Sequence, residues 1–217
     1  MNFPILPADA TRLCLIRHGE TDWNLARRLQ GQTDIPLNTT GLAQAEALAR
    51  GFPAIAVDAL YCSDLQRARQ TAAPLLARLA CPQRLSPALR EQHFGVFQGY
   101  TYAEMAEQQP ELYARYRARD PQWDIPQGES IQRFYDRVTQ AFDTMAMQHC
   151  GQTLVVVTHG GVLDMLWRHA HAYPLSALRQ VEIPNAAFNW VSWHQGRWQV
   201  ERWAVQDHLA AALDELT

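Results

Sequence analysis

Apolar residues along the chain fall either into short unbroken runs or into stretches where they recur every three or four positions. Leu13 to Ile16 form a run cut off by Arg17-His18-Gly19, which predicts a strand over 12–17 ending at the histidine. Leu42, Ala45, Leu48 and Ala49 share a helical face. Thr39 or Thr40 stands ready to cap that helix, and Gly51 and Pro53 to end it. Ala59 to Cys62 read as a second short strand running into Ser63-Asp64, either of which suits the N-cap of a helix from about Gln66 to Leu79. A further strand is expected near Gln83 to Leu85. Ile131, Phe134, Val138, Phe142 and Met145 then mark a long helix. Thr153 to Thr158 is nearly all apolar, as strands buried on both faces are. It stops at His159-Gly160-Gly161, and a helix resumes through Val162 to His169. Ala187 to Trp193 and Trp198 to Trp203 alternate about Gln195-Gly196 and predict a hairpin.

Strands alternating with helices predict an α/β protein, a three-layer α/β/α sandwich with a mostly parallel central sheet and helices on both faces. The hairpin makes that sheet mixed. Residues 100–127 break the pattern: Tyr100, Tyr102, Tyr113, Tyr116 and Trp123 stand among Pro110, Pro121 and Pro126, with no long apolar strand. They are expected to form a small helical cap insertion. No repeat, low-complexity segment or linker divides the chain, so residues 1–217 are expected to be one domain. Leu209, Leu213 and Leu216 share one face of a possible terminal helix, suited either to its own domain or to a second subunit in a homodimer.

Charge narrows the function classes. Nineteen basic against 22 acidic residues give a formal −3, a poor field for nucleic acid or an anionic membrane. The longest aliphatic run, Leu154 to Val157, is far too short to span a bilayer. Met1-Asn2-Phe3-Pro4 has neither a basic start nor a long apolar stretch, and a cytoplasmic protein is expected. Cys14, Cys62, Cys81 and Cys150 form no CxxC pair or zinc pattern and are read as reduced, mostly buried thiols. The eight histidines offer no metal-site spacing; His169 and His171, two apart on a helix, point away from each other. No metal and no cofactor are expected.

Two predicted strands each end in His-Gly, at Arg17-His18-Gly19 and Thr158-His159-Gly160. In a parallel sheet both carboxyl ends lie at one edge, where ligands of open α/β sheets bind. Arg67, just inside the helix after Ser63-Asp64, aims a third group at that edge, and helix N-terminal amides add partial positive charge. Imidazoles, guanidiniums and amides together suit a tetrahedral dianion.

These blocks occur in one order. Arg17-His18-Gly19-Glu20-Thr21-x-x-Asn24 is followed by Gln30-Gly31-x-x-Asp34-x-Pro36-Leu37-x-x-x-Gly41 and Ser63-Asp64-Leu65-x-Arg67-Ala68-x-Gln70-Thr71. Leu89-x-Glu91-x-x-x-Gly95-x-x-x-Gly99, Gly128-Glu129-Ser130 and His159-Gly160 complete the set. The chain thereby resembles the histidine phosphatase (phosphoglycerate-mutase-like) superfamily, of the broad-specificity phosphatase type. That resemblance implies a metal-independent hydrolysis of small phosphorylated metabolites through a phosphohistidine. It implies that His18 attacks phosphorus, that Arg17, Arg67 and His159 hold the nonbridging oxygens, and that Glu91 moves the proton to and from the leaving oxygen and water. Asn24 and Gln30 are implied as further phosphoryl donors, with Gly31 and Gly160 at the binding site. The arginines are expected to keep His18 neutral. His93 and Gln98 stand where relatives often carry acids. His93 reads either as a loop histidine or as a substrate contact. Arg115 and Arg119 read either as solvated helix charges or as a clamp for a carboxylate or second phosphate. A cofactor-dependent phosphoglycerate mutase and a non-catalytic phospholigand binder are the alternatives.

Overall fold

Six strands form a single mixed sheet in the order β3-β2-β4-β1-β5-β6. The computed structural model describes residues 3–210. The strands are β1 (Thr11–Arg17), β2 (Ala59–Cys62), β3 (Gln83–Leu85), β4 (Thr153–Thr158), β5 (Phe188–His194) and β6 (Arg197–Val205). The first four run parallel, and β5 and β6 are the expected hairpin, β5 antiparallel to β1 and β6 antiparallel to β5. Helices connect them: α1 (Asp22–Leu25), α2 (Thr39–Gly51), α3 (Gln66–Leu79), α4 (Tyr102–Gln108), α5 (Pro110–Arg117), α6 (Ile131–Gln148) and α7 (Gly160–His171).

Strand alternation sorts the core into two layers. Leu13, Leu15, Ala59, Tyr61, Leu154 and Val156 pack against Phe134, Val138 and Phe142 of α6 and Val162, Leu163 and Leu166 of α7. Their neighbours Cys14, Ile16, Leu60, Cys62, Val155 and Val157 pack against Leu48 of α2 and Ala68, Ala72 and Leu75 of α3. Each full burial of a Val or Leu contributes roughly 1.5–3 kcal/mol, so both faces of β1 and β4 are anchored. Their carboxyl ends are therefore held in place. The predicted three-layer sandwich is the observed one. Residues 100–127 hold α4 and α5, which close over a separate apolar cluster of Phe97, Met105 and Ile125.

Two predicted caps are corrected. Helix α2 is capped by Asn38, whose side chain accepts from Gly41 N–H at 2.8 Å, rather than by Thr39 or Thr40. Helix α3 is preceded by Leu65, which has no capping side chain; Asp34, across the sheet edge, accepts from Gln66 N–H at 2.6 Å instead. Asp64 is spent on Arg90, 2.6 Å away, and Ser63 faces His159. All four cysteines are free, but only Cys14 and Cys62 are buried; Cys150 is exposed. Leu213 and Leu216 lie outside the described residues, whereas Leu209 is buried against the α2 side of the sheet. No described helix is long and apolar enough to cross a membrane.

Candidate active site

Arg17 pairs with Thr158 at the carboxyl ends of β1 and β4, so the next residue on each strand puts one histidine beside the other. The rings of His18 and His159 meet edge to face with centroids 5.2 Å apart, and both are buried. The His18 amide continues the ladder by donating to Thr158 O at 2.9 Å, and Asn185 Nδ2 donates to His18 O at 2.7 Å. His18 Nδ1 lies 2.7 Å from Gly19 O. A carbonyl can only accept, so Nδ1 holds the hydrogen and Nε2 holds the lone pair. Burial first, then Arg67 and Arg17, drive the His18 pKa well below its ordinary value. That direction favours the expected neutral imidazole. Its leading cause is lost hydration, with the arginines second.

The two arginines are fixed by their outer nitrogens. Arg17 Nη1 donates to Ile183 O at 2.7 Å. Arg67, fully buried near the start of α3, donates through Nη1 to Thr33 O at 2.8 Å and through Nη2 to Gly31 O at 2.7 Å. Gly31 aims that carbonyl from a left-handed conformation, φ +53°, which disfavours a side chain. Burial lowers both guanidinium pKa values to about 10, with Glu91 opposing the shift; both stay charged at neutral pH. His159 Nε2 pairs with Ser63 Oγ at 2.8 Å. Burial, then Arg67, depresses the His159 pKa as well.

What remains at this site is three buried nitrogens with no hydrogen-bond partner among the described residues: Arg17 Nε, Arg67 Nε and His159 Nδ1. Such groups are rare in native interiors. Grouped around one imidazole lone pair, they describe a pocket for a tetrahedral anion. Glu91 stands at the mouth of α7, where its Oε2 accepts from Gly161 N–H and its Oε1 from Gln92 N–H, each at 2.9 Å. Its charge is felt by both Arg17 and Arg67.

Residues 13–206 match the family model of the histidine phosphatase superfamily (branch 1). The chain belongs to that superfamily. It is 36% identical over 208 residues to the metal-independent phosphoserine phosphatase of Arabidopsis thaliana, covering 94% of this chain and 85% of that one. It is 33% identical to the probable phosphoglycerate mutase GpmB of Serratia proteamaculans, over 93% of this chain and 97% of that protein. Among solved structures, phosphoserine phosphatase from Entamoeba histolytica, in complex with 3-phosphoglyceric acid, superimposes with a TM-score of 0.81. It is 26% identical and covers 92% of this chain and 99% of its own.

In this histidine phosphatase the remaining expected residues are disposed unevenly. Gln30 is buried, and its Oε1 has no partner among the described residues. Asn24 spends Oδ1 on the amide and hydroxyl of Thr21 at 3.1 and 3.0 Å, contacts that do not use its Nδ2 donor. Gly160 opens α7 against the Arg17 side chain, 3.4 Å from where a Cβ would stand. The two departures from the superfamily pattern serve the loops: His93 Nδ1 accepts from Gly95 N–H at 3.1 Å, and Gln98 Oε1 accepts from Gln32 N–H at 2.8 Å.

Arg119, beyond the end of α5, fits neither expectation, whereas Arg115 is an exposed charge on that helix, as the first expectation had it. Arg115 lies over the Trp123 ring, 5.5 Å from its centroid. Arg119 clips the cap to the loop after α7 by donating to Ser176 O and Leu175 O, both at 3.1 Å. Beside it opens a cleft of about 580 Å³ lined by Tyr102, Tyr113, Tyr116, Arg117, Arg119 and Leu178. Four contributors were absent from the expected set. Ser63 orients His159, Thr71 Oγ1 accepts from Gly19 N–H at 2.9 Å, Asn185 holds His18, and Gly161 holds Glu91. The His-Gly-Gly doublet was a usable signal for Gly161. Asn185 lies in an unpatterned loop and had none.

Proposed function

We propose that this histidine phosphatase hydrolyses phosphomonoesters of small metabolites through a phosphohistidine on His18 Nε2, with no metal. The reading rests on one observation: partnerless Arg17 Nε, Arg67 Nε and His159 Nδ1 surround an imidazole whose lone pair is on Nε2. Ser63 O–H donates to His159 Nε2 in the working state, so that His159 Nδ1 carries a hydrogen. The three nitrogens then donate to the nonbridging oxygens as charge redistributes, which is the main requirement of phosphoryl transfer. The bond from Nε2 to phosphorus forms while the ester P–O bond breaks, and Glu91, acting as the general acid, gives a proton to the leaving oxygen. Water next attacks the phosphohistidine and Glu91 takes its proton. Phosphate leaves and His18 is neutral again. The likeness to phosphoserine phosphatase supports hydrolysis.

The similarity to a probable phosphoglycerate mutase supports a second reading, return of the phosphoryl group to a sugar acid. Incubation with 3-phosphoglycerate, following phosphate release and 2-phosphoglycerate together, separates them. Phosphate release exceeding isomerisation is expected; isomerisation in excess would overturn the hydrolytic reading.

A further inference from the structure

The loop between α7 and β5 touches both halves of the site. Ile183 O receives Arg17 Nη1, while Ser176 and Leu178 line the cleft beneath the cap. Arg179 stands between these points in sequence. Its guanidinium Nε is 3.5 Å from Asp164 Oδ2, an oxygen already held by Arg168 Nε at 3.1 Å. Arg168 is fully buried and Asp164 nearly so, with Asp164 Oδ1 and Arg168 Nη2 lacking partners among the described residues; the Arg179 side chain is 45% exposed. Arg119 commits Nε and Nη2 to backbone carbonyls. Three guanidiniums therefore share one carboxylate, an excess of two positive charges in a cluster that meets the cleft through Arg119. The field of Arg179 reaches Arg17 on one side and Tyr116 and Arg119 on the other.

Resting on the phosphatase reading, we infer that Arg179 binds a carboxylate carried by the substrate's leaving alcohol, and so selects phosphorylated hydroxy acids over uncharged phosphate esters. A guanidinium fork matches a planar carboxylate with two parallel hydrogen bonds. The half-exposed Arg179 is the member of the cluster best able to supply one, and the tyrosine wall of Tyr102, Tyr113 and Tyr116 leaves room for the rest of the alcohol.

The test compares 3-phosphoglycerate with glycerol 3-phosphate, the same skeleton without the carboxylate, in wild type and in Arg179→Ala. The ratio of kcat/KM for the first over the second is expected to fall about 10–100-fold, mainly through KM, with partial recovery in Arg179→Lys. An unchanged ratio overturns the inference, because Arg179 would then act only on Arg17 or Asp164. A larger loss with fructose 1,6-bisphosphate than with 3-phosphoglycerate also overturns it, assigning the patch to a second phosphate. Calorimetric binding of both triose compounds to His18→Ala, with and without Arg179→Ala, gives the same comparison without turnover. Failure of hydrolysis and failure of the inference are thus separate results.

Discussion

Gly161 and Glu91 are in contact so close that a methyl group cannot fit between them. A Cβ on Gly161 would stand 2.1 Å from Glu91 Oε1, while the Gly161 amide donates to Oε2 at 2.9 Å. Gly161→Ala must therefore push the carboxylate from the helix mouth. Loss of a positioned acid–base group typically costs about 10²–10⁴-fold. We expect kcat for Gly161→Ala to fall by about 10²-fold, towards Glu91→Gln, with inhibition by inorganic phosphate changing less than about threefold. Near-normal kcat would remove Glu91 from the proton-transfer role.

Ser63→Ala tests the orientation of His159. Without the hydroxyl, His159 Nε2 loses its 2.8 Å partner and the ring can adopt the other tautomer. An indirect orienting contact of this kind is commonly worth about 10–100-fold, by analogy with outer-shell partners at metal sites. The expected loss is in kcat/KM, with phosphate inhibition weakened in parallel and the melting temperature nearly unchanged.

The buried histidines set an acid-side limit on stability. Folded-state pKa values of His18 and His159 lie well below 6.5, and an unfolded histidine titrates near that value. Below it the unfolded chain binds more protons than the native one, so stability is fully present above pH 6.5 and drains as pH falls. Each histidine contributes a slope of about 1.4 kcal/mol per pH unit. Urea unfolding between pH 7 and pH 5 should show that slope reduced by about one proton's worth in His18→Asn. An identical slope in the variant would mean that His18 is protonated in the native state.

Among the described residues, no three His, Cys, Asp or Glu side chains group as a metal site requires, and the arginines supply the positive charge at the pocket. Turnover of p-nitrophenyl phosphate should be unaffected by EDTA. Activity lost with chelator and restored by zinc or magnesium would contradict the proposed chemistry.

The paired histidines were legible because two apolar runs each stop at His-Gly, and a parallel sheet must bring such endings to one edge. Alternation likewise marked the β5–β6 hairpin, and the three- and four-residue steps marked α6. The two helix starts were misread for different reasons. Asn38-Thr39-Thr40 offers three chemically competent caps in a row, and only backbone direction picks Asn38. The start of α3 is capped by Asp34, 32 residues away, which no local window contains. Long-range support of this kind also hid Asn185 and Arg179, both on a loop with no apolar period. Arg119 looked like a helix-surface charge because its partners are backbone carbonyls, which residue type does not advertise.

The most direct measurement traps the reaction on residue 18. Enzyme mixed with a radiolabelled phosphomonoester and quenched in alkali within milliseconds should carry label on the peptide containing His18, stable to base and lost in acid. The label should form and decay fast enough to account for turnover, and be absent from His18→Ala. Steady turnover with no labelled His18 peptide, or label that persists in His18→Ala, would contradict the account.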